Sequence, residues 1–141
     1  MNHEPEELVR YLFECMEARD LEGMLKLFTK DAVVFDPHYP IPQMEGIVAI
    51  EKGLSWALKT LAKPGFTVRR IWFEEGHGVV EVHTHHVLST GMKLDFEQVF
   101  LFELQDGLVT RLRAFVPYRP PGIGGWIARV IGFWWRLLGR K

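Results

Sequence analysis

The chain is 141 residues long, with 48% hydrophobic and 25% charged residues, proportions that are typical of one globular domain. Its formal net charge of −1 hides an uneven distribution, because residues 1–117 carry 12 Lys and Arg against 18 Asp and Glu, whereas residues 118–141 carry five Lys and Arg and no acid. An acidic body argues against nucleic-acid binding, and a cationic tail favours an anionic surface.

The cysteine content and the N-terminus indicate a compartment. The one cysteine, Cys15, cannot form an internal disulfide, which is typical of a reducing environment. Residues 2–7 are polar and acidic and do not form a secretion signal. We therefore expect a cytoplasmic protein with a domain over residues 1–117 and a tail, linked by prolines and glycines, over residues 118–141.

Three segments of the first half have the spacing of amphipathic helices. The first begins after Pro5, the second follows the N-cap residue Asp20, and the third covers residues 47–61. The apolar stripe of the second helix extends to Phe28. Between the second and third helices, residues 32–35 form a predicted buried strand, and a loop with three prolines follows it.

After residue 65 the apolar period changes from about 3.6 to 2, which predicts strands. Four strands are expected, separated by turns that contain glycine, at residues 66–73, 79–89, 93–104 and 108–117. Helices first and strands afterwards predict an α+β fold, in which three N-terminal helices pack on one face of a curved antiparallel sheet. A further amphipathic helix is predicted over residues 123–138.

The segment over residues 31–38 carries a candidate catalytic group. It places a carboxylate, Asp36, at the end of the buried strand and directly before Pro37, whose ring restricts the backbone. A carboxylate at the mouth of an apolar pocket can serve as a general base or acid near neutral pH. The alternative is that Asp36 only opens an Asp-Pro turn by binding its own backbone.

Parts of the sequence resemble bacterial ketosteroid isomerases. The resemblance covers residues 19–22 and 31–37, with residues 45–46 after them, and residues 107–115, which are similar to the last strand of those enzymes. Residues 6–117 are thus identified as a member of the nuclear transport factor 2-like, or SnoaL-like, superfamily. This resemblance implies a cone of curved sheet and helices around a cavity, a fold that hosts isomerases, cyclases, epoxide hydrolases, dehydratases and binding proteins.

The resemblance also implies a role for single residues. Asp36 falls where the isomerases keep their general base. Their oxyanion hole needs a tyrosine on the first helix and a protonated acid on the penultimate strand, and these positions hold Leu12 and Gln98 here. Their supporting tyrosines are replaced by Phe28 and Leu54. We therefore expect the base without the steroid-specific oxyanion hole, and not a typical ketosteroid isomerase.

Strand alternation predicts which side chains meet Asp36. His86 and Gln98 fall on the more apolar faces of their strands, so we predict both as catalytic partners in the cavity. His86 would donate a proton or orient the ligand, and the Gln98 amide would stabilise an enolate or alkoxide oxygen. The structural alternative has His86 bound to a backbone carbonyl and Gln98 bridging strands. The predicted ligand-binding residues are Tyr11, Leu12, Leu54, Val82, Thr84, Phe96, Phe100, Leu112, Ala114 and Val116.

The predicted cavity, rich in phenylalanine, favours a small hydrophobic ligand and needs no cofactor. As an enzyme, the protein would isomerise or cyclise a carbonyl compound, or hydrate an epoxide, with Asp36 moving the proton. The second hypothesis is a binding or interaction module without catalysis, associated with a membrane surface through its tail.

The outer face of the sheet carries a histidine pair and apolar residues. His83 and His85 point the same way on one strand and could share a metal ion, but no third ligand is evident, so we predict no metal site. Val87, Val99, Leu101 and Phe115 lie on the same outer side of the sheet. They favour a homodimer through the outer sheet face.

The tail helix is rich in tryptophan and carries a narrow cationic stripe. The residues concerned are Trp126, Trp134 and Trp135, with Arg129, Arg136 and Arg140. At about 100° per residue the three arginines lie within about 20° of one line. About 16 residues with two arginines among them are too short and too charged to span a bilayer, but they suit its interface. A lid over the open end of the cone, or a helix exchanged between protomers, is the alternative.

Overall fold

The computed structural model describes residues 4–116 and 123–139. Along these residues the elements are, in order, α1 Pro5–Glu17, α2 Leu21–Leu25, β1 Phe28–Phe35, β2 Gln43–Glu45, α3 Ile47–Thr60, β3 Leu61–Lys63, β4 Phe66–Glu74, β5 His77–Leu88, β6 Lys93–Gln105, β7 Leu108–Phe115 and α4 Ile123–Leu137. The predicted α+β fold is confirmed. The predicted division at residues 117 and 118 lies outside the described residues.

The strands form a single curved sheet that does not close. Its order is β2, β1, β7, β6, β5 and β3, and β4 also pairs with β5. The meander from β4 to β7 is antiparallel throughout, whereas β1 lies parallel to β7. Strand β3 pairs with β5 at Val87 and Leu88, and β4 pairs with the preceding part of β5. Strands β3 and β4 therefore lie one after the other along the same edge of β5.

The core lies between α1, α3 and the inner face of the sheet. Helix α1 buries Leu8, Val9, Leu12, Phe13, Cys15 and Met16. Facing them, the inner side of the sheet contributes Val80, Val82, Phe100 and Phe102. Burial raises the pKa of the Cys15 thiol, as expected for a cysteine that packs like a small apolar residue.

Three local predictions differ from the structure. The second helix ends at Leu25, and Phe28 begins β1, where it pairs with Val109 of β7. Strands β2 and β3 were not expected, because three residues are too few to show a period of two. Alternation along β7 would turn Thr110 inward, but a register shift at this point buries Val109 instead.

Helix α4 forms where the sequence predicts it and ends at Leu137. Gly139, two residues further on, has a φ of 62°, which suits a residue without a side chain. The helix tryptophans Trp126, Trp134 and Trp135 are all more than half exposed. Arg140, the third member of the cationic stripe, lies outside the described residues. Over residues 4–116 and 123–139, no helix is long and apolar enough to cross a membrane.

Candidate functional site

The inner face of the sheet and the helices enclose a cavity of about 260 Å³. Its deep wall is apolar and buried, with Met24, Ile50 and Phe100 among its residues. Its polar side chains include Asp36, His38 and Tyr39 from the loop after β1, Thr60 at the end of α3, and His86 and Gln98 from β5 and β6. The three predicted catalytic residues therefore lie around one cavity. Of the predicted ligand-binding residues, those that line it are Leu12, Leu54, Phe96, Phe100 and Leu112.

The other predicted ligand-binding residues do not line the cavity. Three of them lie on the inner face but pack closely against neighbouring residues, with at most 2% of each exposed: Val82, Thr84 and Ala114. Tyr11 is 41% exposed, because neighbouring residues on a helix point about 100° apart and Leu12 takes the inward direction. Val116 follows the end of β7 and is half-buried.

Asp36 is both a turn residue and a cavity residue. Its backbone N–H donates to the Pro42 carbonyl (2.9 Å), which closes the proline loop onto the end of β1. Its Oδ1 accepts from the backbone N–H of His38 (2.9 Å) and lies 2.7 Å from Nδ1 of the same residue. The other carboxylate oxygen, Oδ2, takes part in neither bond. The turn therefore holds the carboxylate in place without using both oxygens.

His38 is a site residue that the sequence prediction did not include. Its ring packs against Phe96, with 5.1 Å between the ring centroids, and its hydrogen bond to Asp36 raises its pKa. The side chains of His38 and Asp36 are 43% and 15% exposed, so the pair lies at the mouth of the cavity. A signal was present, since an Asp followed two residues later by a donor is a common turn pattern.

His86 is held as a neutral imidazole. The backbone N–H of Gly65 donates to its Nδ1 (3.0 Å), so the ring proton must reside on Nε2. Burial lowers the pKa of His86 to about 4, and the nearby charges of His85 and His38 act in the same direction. Its ring edge also contacts Phe66. The predicted alternative, a bond from His86 to a backbone carbonyl, is wrong, because the backbone is the donor.

Gln98 bridges two strands, as the structural alternative predicts. Its side chain is 3% exposed, and its Nε2 donates to the Thr84 hydroxyl across β5 and β6. Its Oε1 is the only buried side-chain oxygen or nitrogen in the described part of the chain without a hydrogen-bond partner. The amide therefore bridges strands and offers an acceptor at Oε1, and Nε2–H of His86 is a donor in the same cavity.

The outer histidines are engaged with other side chains. The two ring nitrogens of His83 lie 3.0 Å from Glu97 Oε1 and 2.9 Å from Asp95 Oδ1, and Arg69 binds the same Glu97. His85 Nε2 lies 3.1 Å from the Thr67 hydroxyl. Within residues 4–116 and 123–139, no three His, Cys, Asp or Glu side chains come together as a metal site.

Comparisons with known proteins agree with this architecture. The profile of the family described as "SnoaL-like domain" matches residues 9–112. No curated protein matches the sequence. Among solved structures, a protein with a ketosteroid isomerase-like fold from Catenulispora acidiphila, in complex with trimethylamine, is 14% identical, covers 83% of this chain and 89% of its own, and has a TM-score of 0.72.

Two further structures contain a small molecule. TerC, crystallised with polyporic acid, is 19% identical over 79% of this chain and 90% of its own, with a TM-score of 0.70. A Mycobacterium tuberculosis protein in complex with estradiol-17beta-hemisuccinate is 17% identical over 79% of this chain and 92% of its own, also with a TM-score of 0.70. At these identities the likeness is one of fold.

Proposed function

Since the chain belongs to the SnoaL-like domain family, we propose that its cavity binds a small hydrophobic molecule and that Asp36 transfers a proton on it. The observation that carries this proposal is the arrangement at the mouth. A carboxylate fixed through Oδ1 by His38 and a neutral His86 line one apolar cavity. An acceptor and a donor of hydrogen bonds are the two groups that proton transfer next to a carbonyl requires.

The chemistry follows from these roles. Asp36 Oδ2 takes a proton from the carbon beside a carbonyl, and the electron pair of that C–H bond moves into the carbonyl group to give an enolate. Nε2–H of His86 donates a hydrogen bond to the enolate oxygen. In a ligand with a C=C bond beside the reacting carbon, return of the proton to the far end of that bond isomerises the ligand. Attack of the enolate carbon on a second carbonyl cyclises it instead, and the protonated Asp36 returns its proton to the new alkoxide. For hydration of an epoxide, Asp36 deprotonates a water that attacks one epoxide carbon, the C–O bond breaks, and the resulting alkoxide takes the proton from Asp36.

The cavity wall suits a small hydrophobic ligand, and the proposed proton transfer needs no cofactor. The cavity wall is formed mainly by aliphatic and phenylalanine side chains, which favour an apolar, ring-containing molecule. The proteins of like fold that hold polyporic acid and an estradiol ester are consistent with such a ligand here. Carboxylate and imidazole groups suffice for transfer of a proton.

The test is hydrogen exchange of 2-tetralone, a bicyclic ketone, in D₂O, followed by proton NMR. The wild-type protein should accelerate exchange at its α carbon. Asp36→Asn keeps an acceptor oxygen for the His38 N–H but loses the base, so the acceleration should fall by about 10²- to 10⁴-fold. Asp31→Asn, in the same strand but exposed, is the control and should keep it. Unchanged exchange in Asp36→Asn would reject the role of Asp36.

The exposed tail helix favours a second candidate function, binding without catalysis at a membrane surface. Large apolar side chains of α4 are exposed together with Arg129 and Arg136, a combination that suits a headgroup boundary. Full-length protein should sediment with vesicles that contain phosphatidylglycerol. The double change Arg129→Glu and Arg136→Glu should abolish this, since each arginine contributes about 1 kcal/mol at such a surface. Failure of the wild type to sediment would leave the lid or the exchanged helix.

The outer face of the sheet supports a homodimer in either case. Trp72, Leu101 and Phe115 expose apolar surface there, and Arg113 lies over the Phe115 ring at 5.3 Å. Such a patch is typical of protein contact surfaces. Sedimentation velocity should give a dimer for the wild type and a monomer for Phe115→Glu. A wild-type monomer at micromolar concentration would end this proposal.

A further inference from the structure

A buried amide oxygen at the cavity wall lacks a partner. Gln98 lies between Phe96 and Phe100 on the inner face of β6, and it lines the cavity while remaining 3% exposed. Its Oε1 accepts no hydrogen bond from any residue that the structure describes. Buried side-chain oxygens in folded proteins are nearly always paired, because an unpaired one loses its hydration without replacement. A partner for this oxygen can come from a bound molecule.

The contact with Thr84 shows whether the missing partner must be a hydrogen-bond donor or an acceptor. The Thr84 side chain is fully buried on the neighbouring strand, and its hydroxyl accepts from Nε2 of Gln98. This bond engages one of the two N–H groups of the amide and leaves the oxygen without a partner, so the oxygen needs a hydrogen-bond donor.

We infer that the ligand carries a hydroxyl group on its ring system, and that Gln98 Oε1 accepts a hydrogen bond from this hydroxyl in the interior of the cavity. The inference rests on the proposed function only in that the cavity must bind a small apolar molecule. It adds a chemical class, hydroxylated aromatic or enolic compounds, and makes Gln98 a specificity residue and Thr84 a positioning residue.

The spacing of the polar groups limits the size of this ligand. His38, which binds Asp36, packs on Phe96, and Gln98 follows Phe96 by two residues on the same face, a distance of about 7 Å along a strand. The cavity volume of about 260 Å³ falls just below the range of about 300 to 1,000 Å³ for drug-sized ligands. Two fused six-membered rings, with the hydroxyl at one end and the reacting carbon at the other, match this separation better than a four-ring steroid.

Three naphthalenes of similar shape test the inference on the full-length protein. 2-Naphthol can donate a hydrogen bond, 2-methoxynaphthalene can only accept one, and 2-methylnaphthalene can do neither. Dissociation constants are measured by equilibrium dialysis. The wild-type protein should bind 2-naphthol about tenfold more tightly than either of the others.

Two variants separate the roles of the amide and of its partner. Gln98→Leu keeps the volume of the side chain and removes its polar atoms, so all three compounds should bind within about threefold of one another. Thr84→Val keeps the shape of threonine but frees Nε2, so the amide can turn either end to the ligand. 2-Methoxynaphthalene should then approach the affinity of 2-naphthol, which a merely structural role of Thr84 would not produce. Thermal unfolding of each variant checks that it is folded.

The possible results are distinguishable. A preference for 2-naphthol that persists in Gln98→Leu would overturn the inference, because another group would be the acceptor. So would equal binding of all three compounds by the wild type, although the proposed cavity function would stand. Tighter binding of 2-methoxynaphthalene by the wild type would show that the nitrogen faces the ligand, which also overturns it. Failure of all three to bind would overturn the proposed function and this inference together.

Discussion

The histidines on the two faces of strand β5 differ in how many of their ring nitrogens are paired. On the outer face, both ring nitrogens of His83 lie within 3.0 Å of carboxylate oxygens from Asp95 and Glu97. On the inner face, three residues further along, His86 has one nitrogen bound to the Gly65 backbone and the proton on the other. The outer face thus pairs its polar groups with one another, whereas the inner face leaves some of them available.

This difference indicates where functional information lies. Exposed ion pairs are screened by water and contribute little to stability or to chemistry. In an apolar cavity the same atoms interact strongly, and an unpaired one is costly. Gln98 Oε1 persists on the inner face despite that cost, which is a pattern typical of functional sites. The outer face is richer in histidine, but it has fewer polar atoms that are free to bind a ligand.

The largest expected effect comes from filling the space at Gly65. A Cβ there would meet the backbone carbonyl and the ring of His85, and the Gly65 N–H is the donor to His86. Gly65→Ala should therefore lower the free energy of unfolding by about 2 to 3 kcal/mol, as overpacking does. Gly132→Ala, where a Cβ would meet nothing within 4 Å, is the control in urea titrations. A loss of less than about 0.5 kcal/mol in Gly65→Ala would mean that the backbone yields easily.

A smaller effect should appear in the pH dependence of stability. The pKa of His86 is about 4 in the folded protein and near 6.5 when unfolded. Between these values the unfolded state binds the extra proton, so the free energy of unfolding falls as the pH is lowered from about 6.5 to 4. The slope should approach about 1.4 kcal/mol per pH unit. His38 acts in the opposite direction, because its raised pKa gives stability at low pH that is lost as the pH rises.

Two variants test whether His86 causes this pH dependence of the free energy of unfolding. His86→Gln should flatten it, whereas His77→Gln, in an exposed position at the start of β5, should not. Urea unfolding at half-unit steps from pH 4 to pH 8 measures the effect. An unchanged slope in His86→Gln would mean that another group is responsible and that the inner histidine is not held neutral by burial.

The sequence predicted the fold class and the main strands because periodicity and turn glycines are local signals. Alternation placed His86 and Gln98 inside and His83 outside, since β5 and β6 pair without a register shift from His77 to Val87. It failed at Thr110, where β6 and β7 shift register. A register shift depends on how two strands pair, so the apolar alternation of one strand cannot predict it.

The site was predictable in position more than in chemistry. Asp36 could be placed because a strand end and a family resemblance coincide on it. The spacing of Asp36 and His38 indicates a turn, but it does not place the His38 ring at the cavity, because that position depends on how the proline loop folds back. The polarity of Gln98 depends on Thr84, a contact between strands that the sequence pattern did not specify.

The smallest effect is expected on the outer face. The hydrogen bond from Arg69 lowers the pKa of Glu97, and His83 adds to this, but all three side chains face water and salt weakens their attraction. Glu97→Gln should shift the urea midpoint less than Gly65→Ala does, and less still at 1 M sodium chloride, where the Debye length is about 3 Å. Its affinity for 2-naphthol should equal that of the wild type. Weaker binding in Glu97→Gln would contradict the division between the two faces, because it would mean that the outer charge network controls the cavity through strand β6.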